Sequence, residues 1–189
     1  MEQKKQIQLT GALTTLLATT CGVVVANMYY IQPIGTKVAT SFSVSTSAIG
    51  ILTMLTQLGY ALGLLFLVPL GDVVNRPKLI IRMAALSAIS LLAAFFAPSF
   101  TLFACASFLI GLLSIVPQII IPYGAVLAGS AARGKVMGQL LSGLLIGILL
   151  SRTVSGIIAS VFSWRMVYLF ALLAVGLLTA LLYVKLPRT

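Results

Sequence analysis

The chain has 189 residues, 60% of them apolar and 7% charged, with a formal net charge of +10. A soluble globular domain carries about 25% charged residues, so this composition excludes soluble enzymes, nucleic-acid-binding modules and disordered tails, and leaves an integral membrane protein. Histidine is absent and the carboxylate side chains are those of Glu2 and Asp72; metal sites and paired-carboxylate chemistry have almost nothing to work with, and the expectation is a protein that is not an enzyme and uses no metal or cofactor.

Apolar runs near 9–34, 46–70, 79–97, 100–129, 136–160 and 166–186 reach the roughly 20 residues that a bilayer crossing needs. They predict one all-α membrane domain of six transmembrane helices over 1–189, with the bilayer as its first partner. The polar start, Met1 to Gln8, precedes a run too long for a signal-peptide core, so the first helix is expected to stay as an anchor. Lys37 to Ser45 is rich in Ser and Thr and reads as a loop, with Ser45 placed to cap the second helix. Pro98-Ser99 turns the third helix into the fourth, and Pro117 and Pro122 are placed to bend the fourth around Gln118. Phe162 to Arg165 turns the fifth into the sixth, with Trp164 at a depth suited to the interfacial aromatic belt. Pro187 ends the last helix. Cys21 and Cys105 lie in apolar runs with no framework spacing and read as small buried hydrophobes.

The basic residues alternate between the gaps. Lys4, Lys5, Arg76, Lys78, Arg82, Arg133, Lys135, Lys185 and Arg188 fall on one side, Lys37 and Arg165 on the other, and Arg152 inside the fifth run. The positive-inside rule then puts both termini in the cytoplasm. The +10 charge is a topology signal and calls for no nucleic-acid partner. The stretch Pro69 to Arg76 has a faint echo at Ile157 to Trp164. An odd number of crossings per unit inverts its topology, so the expectation is two inverted three-helix repeats, about 1–98 and 99–189.

Asn27, Tyr30, Gln32, Gln57, Tyr60, Gln118 and Tyr123 are polar side chains within apolar runs. Lipid cannot satisfy them, so each is expected to make an interhelical hydrogen bond or face a substrate cavity. Arg152 follows Lys135 by about 25 Å of helix. A guanidinium at such depth costs at least a few kcal/mol, so it is expected in a cavity wall, paired with carbonyls or a further segment, or reaching the outer interface. Gly143, Gly147, Ser151, Ser155 and Ala159, with Gly156 beside them, recur every four residues and form a stripe on which another helix can pack closely. No carboxylate lies in a predicted helix interior, and no proton site is assigned.

The segment Val68 to Ile80, VPLGDVVNRPKLI, resembles the signature loop between helices two and three of the major facilitator superfamily, G-x-L-(A/G)-D-(R/K)-x-G-R-(R/K)-x-x-(L/I). Leu70, Gly71, Asp72, Arg76, Lys78 and Leu79 match in register; Val68 and Asn75 replace glycines and Val73 a basic residue. On physical grounds, Asp72 with Arg76 and Lys78 can form a charge cluster that holds one conformation and breaks in another. The resemblance implies that Gly71, Asp72, Arg76 and Lys78 act as a conformational-switch loop. Gly147 to Gly156 is similar to the antiporter-type motif GxxxGPxxGG, with Ser151 and Ser155 for glycines and Arg152 for the proline. In the family, the partner of that stripe comes from the other half of the transporter. Asn27 to Pro33 and Gln57 to Gly63 look like the drug and metabolite efflux branch. In helix four, Ser107 stands where many proton-coupled members have an arginine.

The resemblance implies the N-terminal six-helix half of a major-facilitator permease in the cell (inner or plasma) membrane. It would export a small-molecule substrate by alternating access, with a missing C-terminal half as partner. Three other readings fit the residues: a half-size transporter pairing with a second copy through the Gly143–Ala159 stripe, an inactive truncated product, and an unrelated six-helix channel or assembly subunit.

Overall fold

The computed structural model describes residues 9–186. Glu2, Lys4, Lys5 and Arg188, the expected anchor start at Met1 to Gln8 and the expected stop at Pro187 lie outside the described residues. The described residues form α1 (Gly11–Ala26), α2 (Ile31–Phe42), α3 (Thr46–Phe66), α4 (Leu70–Val73), α5 (Arg76–Phe96), α6 (Phe100–Leu113), α7 (Val116–Val161) and α8 (Arg165–Lys185). Five segments are long and apolar enough to cross a membrane: Gly11–Phe42, Thr46–Val73, Arg76–Phe96, Phe100–Val161 and Arg165–Lys185.

The first segment differs from the expected single helix over 9–34. Thr10 starts α1 by accepting from Leu13 N at 3.3 Å. The ladder then breaks at 27–30, where Asn27, Met28 and Tyr29 donate to Val24, Val25 and Ala26, three residues back. Pro33 is the cause: it lacks an N–H, and its ring would strike the Tyr29 carbonyl in a continuous helix, whereas the first turn of a new helix accommodates it. Of the stretch Lys37 to Ser45 read as a Ser/Thr loop, Lys37 to Phe42 is instead the C-terminal part of α2, and 43–45 alone form the connection. The α2 polar residues Thr36, Lys37, Thr40 and Ser41 are exposed while Ile34, Gly35, Val38 and Ala39 are buried, a 3.6-residue period that decides for helix. Ser43, at φ 54° and ψ 40°, ends it. Ser45 occupies the cap position of α3 without a side-chain cap bond; its hydroxyl pairs with that of Ser47 at 2.9 Å.

Asn75 caps α5, accepting from Lys78 N at 3.1 Å, and Pro77 sits in the first turn, where its missing N–H costs nothing. Ser99 caps α6 by accepting from Leu102 N at 3.3 Å. The break near Gln118 falls at Ser114 and Ile115, and Pro117 opens α7. Within α7 the backbone leaves helical geometry at Gly129, φ 67° and ψ 176°, a region that favours glycine. There the chain doubles back: a Cβ on Gly124 would lie 2.7 Å from Leu140 Cδ1, although the two residues would stand about 24 Å apart along a straight helix.

Three seams hold the bundle together: α1 with residues 130–161 of α7, α3 with α6, and α5 with α8. The first two are glycine seams. A Cβ on Gly22 would meet Gly143 O at 2.5 Å, and one on Gly147 would collide with the Gly22 backbone. In the second, Gly59 lies on the Phe108 and Leu112 backbone and Gly111 on that of Thr56. Missing side chains let the helix backbones touch, the means by which helices associate where lipid removes the hydrophobic driving force. The outward faces are unlike. Leu86, Ile89 and Phe96 of α5 and Leu173, Leu177 and Val184 of α8 are exposed and apolar, while α2 exposes Gln32, Thr36, Lys37, Thr40 and Ser41.

The end of the bundle where α2, α5 and α7 finish carries an aromatic cluster. Trp164, expected in an interfacial belt, is buried there at 5% exposure, its ring centroid 5.3 Å from Phe103 and 5.6 Å from Phe42. Cys21 is buried but Cys105 is exposed, which corrects the reading of both as buried.

Candidate functional site

Two regions bring sequence-predicted residues together. The first is the 70–78 turn. Asp72 and Arg76 form an ion pair at 2.8 Å, and Arg76 Nε donates to Gly71 O at 2.9 Å. Gly71 is buried beside Leu79 and Ile119. The expected three-member charge cluster is a pair: Lys78 is exposed and contributes its backbone N–H to the Asn75 cap, its ammonium pointing to no carboxylate among the described residues. The Asp72 side chain is 76% exposed, so the pair adds less than about 1 kcal/mol to the fold. Asp72→Asn is therefore expected to leave the denaturation midpoint of the purified chain almost unchanged, as read by circular dichroism in detergent. A large loss would mean that the pair is structural.

The second is a groove of about 720 Å³ along the seam between α1 and residues 130–161 of α7, with Phe170 of α8 at its side. Gly22, Gly143, Gly147 and Ser151 lie along its floor, where the helix backbones of the glycine seam touch. Thr14, Thr15, Thr19, Tyr30, Lys135, Gln139 and Ser142 supply its polar groups. The threonine hydroxyls donate to carbonyls four residues back, Thr15 to Gly11 O at 3.0 Å and Thr19 to Thr15 O at 2.9 Å, so they offer a visitor mainly lone pairs.

The other candidates are dispersed. Asn27 is 4% exposed, and neither its amide nitrogen nor its oxygen has a partner. Tyr60 and Gln118 join α3 to α7, Gln118 Nε2 donating to Tyr60 Oη at 3.0 Å. Tyr123 is buried in the 116–128 part of α7. Gln32, Gln57 and Arg152 are exposed and do not line the groove. The stripe has a partner other than the one expected: α1 of the same chain covers Gly143 and Gly147, and Ser151, Ser155 and Ala159 are buried. Below them Gly156 faces Pro33 of α2. A second copy cannot use that stripe while α1 occupies it.

Sequence reasoning passed over the groove's Thr14 and two pairs, Thr15 with Thr19 and Gln139 with Ser142. The three- and four-residue spacing of each pair was the available signal, since it puts both members on one helix face. It also missed the work of Lys37 and Arg165. Lys37 Nζ donates to Ala159 O in the last turn of α7. Arg165 donates to Phe95 O at 2.7 Å and to Ala97 O at 2.8 Å, at the end of α5, with its guanidinium 4.5 Å from the Trp164 ring. Each cation satisfies carbonyls that a helix C-terminus leaves open and sits at the negative end of its dipole. Among the described residues no three His, Cys, Asp or Glu side chains gather.

The family model described as Major Facilitator Superfamily matches residues 13–189. A protein of Escherichia coli O157:H7 named "Uncharacterized transporter YgaY" is 42% identical over 185 residues, 98% of this chain and 47% of its own length. "Probable transporter SCO4007" of Streptomyces coelicolor is 32% identical over 167 residues, 88% of this chain and 38% of its own length. The chain spans less than half the length of the curated relatives it matches.

Proposed function

Since the chain belongs to the Major Facilitator Superfamily, a family of membrane transporters, we propose that it forms one six-helix half of a permease that moves a small molecule by alternating access. The observation that carries this is the match over residues 13–189, together with relatives that bear the name transporter. The six crossings are α1 with α2, α3 with α4, α5, α6 with residues 116–128, residues 130–161, and α8. A straight run over Phe100–Val161 would be about 93 Å long, three times the hydrocarbon core, so the reversal at Gly129 supports counting it as two.

The seams support the inverted repeat. The first crossing pairs with the fifth, the second with the fourth, and the third with the sixth. Exchanging first with fourth, second with fifth and third with sixth returns the same three pairings, as two related three-helix units require. The apolar faces of α5 and α8 then meet lipid. The polar face of α2 turns toward water or a second six-helix unit, which joins on a surface other than the stripe that α1 fills. The 70–78 turn is the switch: a weak exposed pair holds one state and is cheap to break. Export is the direction in this reading, after the likeness of Asn27 to Pro33 and Gln57 to Gly63 to efflux members, with the basic end and both termini in the cytoplasm of a cell whose inner or plasma membrane holds the chain.

Side-specific labelling tests the topology. In right-side-out vesicles, Ser41→Cys is expected to react with an impermeant maleimide, and Arg133→Cys only after the membrane is opened. The reverse pattern would refute the orientation. For the activity, dye efflux is expected from vesicles holding this chain together with the second half of the Escherichia coli relative, and none from this chain alone. Efflux by the chain alone would favour the half-size reading.

A further inference from the structure

We propose that the groove between α1 and residues 130–161 of α7 is a binding site for one anionic phospholipid, its phosphate at Lys135 and an acyl chain along the glycine floor. The inference goes beyond the transport reading, because it concerns what the groove holds and not what the protein moves, and it rests on that reading only for the orientation that puts the Lys135 end at the cytoplasmic face. The groove is graded along its length. At one end stand Lys135 and Gln139, which bring the only charged group of the lining; further along, the walls are mainly Ile146, Leu150 and Phe170, with the hydroxyls of Ser151 and Tyr30 among them. A phospholipid has the same order, head then tail.

Three observations select the ligand. The Lys135 ammonium has no carboxylate or hydrogen-bond partner among the described residues, and Arg133 stands two residues before it, so the head end favours an anion. Basic pockets between transmembrane helices on the cytoplasmic side commonly hold anionic headgroups. From Lys135 to Gly147 the helix rises about 18 Å, close to half of the roughly 30 Å hydrocarbon core, the depth of one leaflet. Gly22, Gly143 and Gly147 give the floor a backbone surface, the two helix backbones themselves filling the seam beneath it, and about 720 Å³ of space above that floor leaves room for a chain between the walls.

Native mass spectrometry of the full chain from a maltoside detergent, titrated with phosphatidylglycerol or phosphatidylcholine of equal chain length, tests this. One phosphatidylglycerol is expected to bind in preference to phosphatidylcholine. Lys135→Gln is expected to weaken it about fivefold, the worth of one lysine at an anionic lipid surface. Gly138→Trp should abolish it, since Gly138 lines the groove, a Cβ there meets nothing within 4 Å and the added ring takes up the space at the groove mouth. Arg82→Gln, on the exposed face of α5, should leave it unchanged. Equal binding of both lipids, retention by both Lys135→Gln and Gly138→Trp, or a lipid-free dimer would each overturn the proposal. Should Gly138→Trp fail to fold by circular dichroism, Lys135→Gln against Arg82→Gln still decides.

Discussion

Gly147→Leu is expected to destabilise the purified chain by about 3 kcal/mol, the largest effect of any single change considered. The atoms in the way are the Gly22 backbone, and a backbone in the middle of a packed helix cannot step aside as a side-chain tip can. The leucine would have to push α1 off α7, opening the most extensive seam in the bundle. Denaturant titration in detergent, followed by the emission of Trp164, the one tryptophan in the chain, measures this. Gly176→Ala is the control, because a Cβ at Gly176 meets nothing within 4 Å and should cost nothing. If Gly147→Leu and Gly176→Ala unfold at the same midpoint, the α1–α7 packing is wrong. The same variant separates two accounts of the stripe: had it been a surface for another copy, leucine would alter association and leave the monomer's stability intact.

Arg165→Met is expected to cost about 2–3 kcal/mol and to raise the quenching of Trp164 by acrylamide. Methionine keeps much of the volume but removes both donors, leaving Phe95 O and Ala97 O without the hydrogen bonds they accept at 2.7 and 2.8 Å. It also removes the cation stacked 4.5 Å from the indole, worth up to about 2 kcal/mol where water is excluded. Arg165→Lys should fall between, since one ammonium cannot match the fork geometry that reaches two carbonyls. An unchanged midpoint in Arg165→Met would show that water satisfies the end of α5 equally well.

Long apolar helices were legible because composition alone enforces them: with 7% charged residues the chain has few places to stop being hydrophobic. What misled was local polarity. Thr36, Lys37, Thr40 and Ser41 resemble a loop by content and a helix by spacing, and spacing was the better guide. Pro33 marked the break between α1 and α2, but the sequence does not say that helix resumes after it. The stripe was visible as small residues four apart, yet a one-dimensional pattern carries no address for its partner. Here that address is Ala18 and Gly22, themselves four apart on α1. Trp164 was read by residue type, whereas its place is set by Phe42 of α2 and Phe103 of α6, with Tyr168 of its own helix. The groove polar groups Gln139 and Ser142 were passed over because each alone is unremarkable in a membrane helix.

The two cations at the aromatic end have an effect on the field around the molecule. Lys37 and Arg165 each rest against the carbonyl end of a helix, so about half of each charge is met by the half-charge that such an end presents. The opposite end keeps Arg76 partly offset by Asp72, and Lys78, Arg82, Arg133, Lys135 and Lys185 with no counter-charge among the described carboxylates. Along its long axis the bundle is therefore electrically lopsided, weakly positive at one mouth and strongly positive at the other. A charged solute arriving at the aromatic end is sorted by shape and polarity at close range. At the basic end the protein draws anions and repels cations from about a Debye length away, before any contact is made.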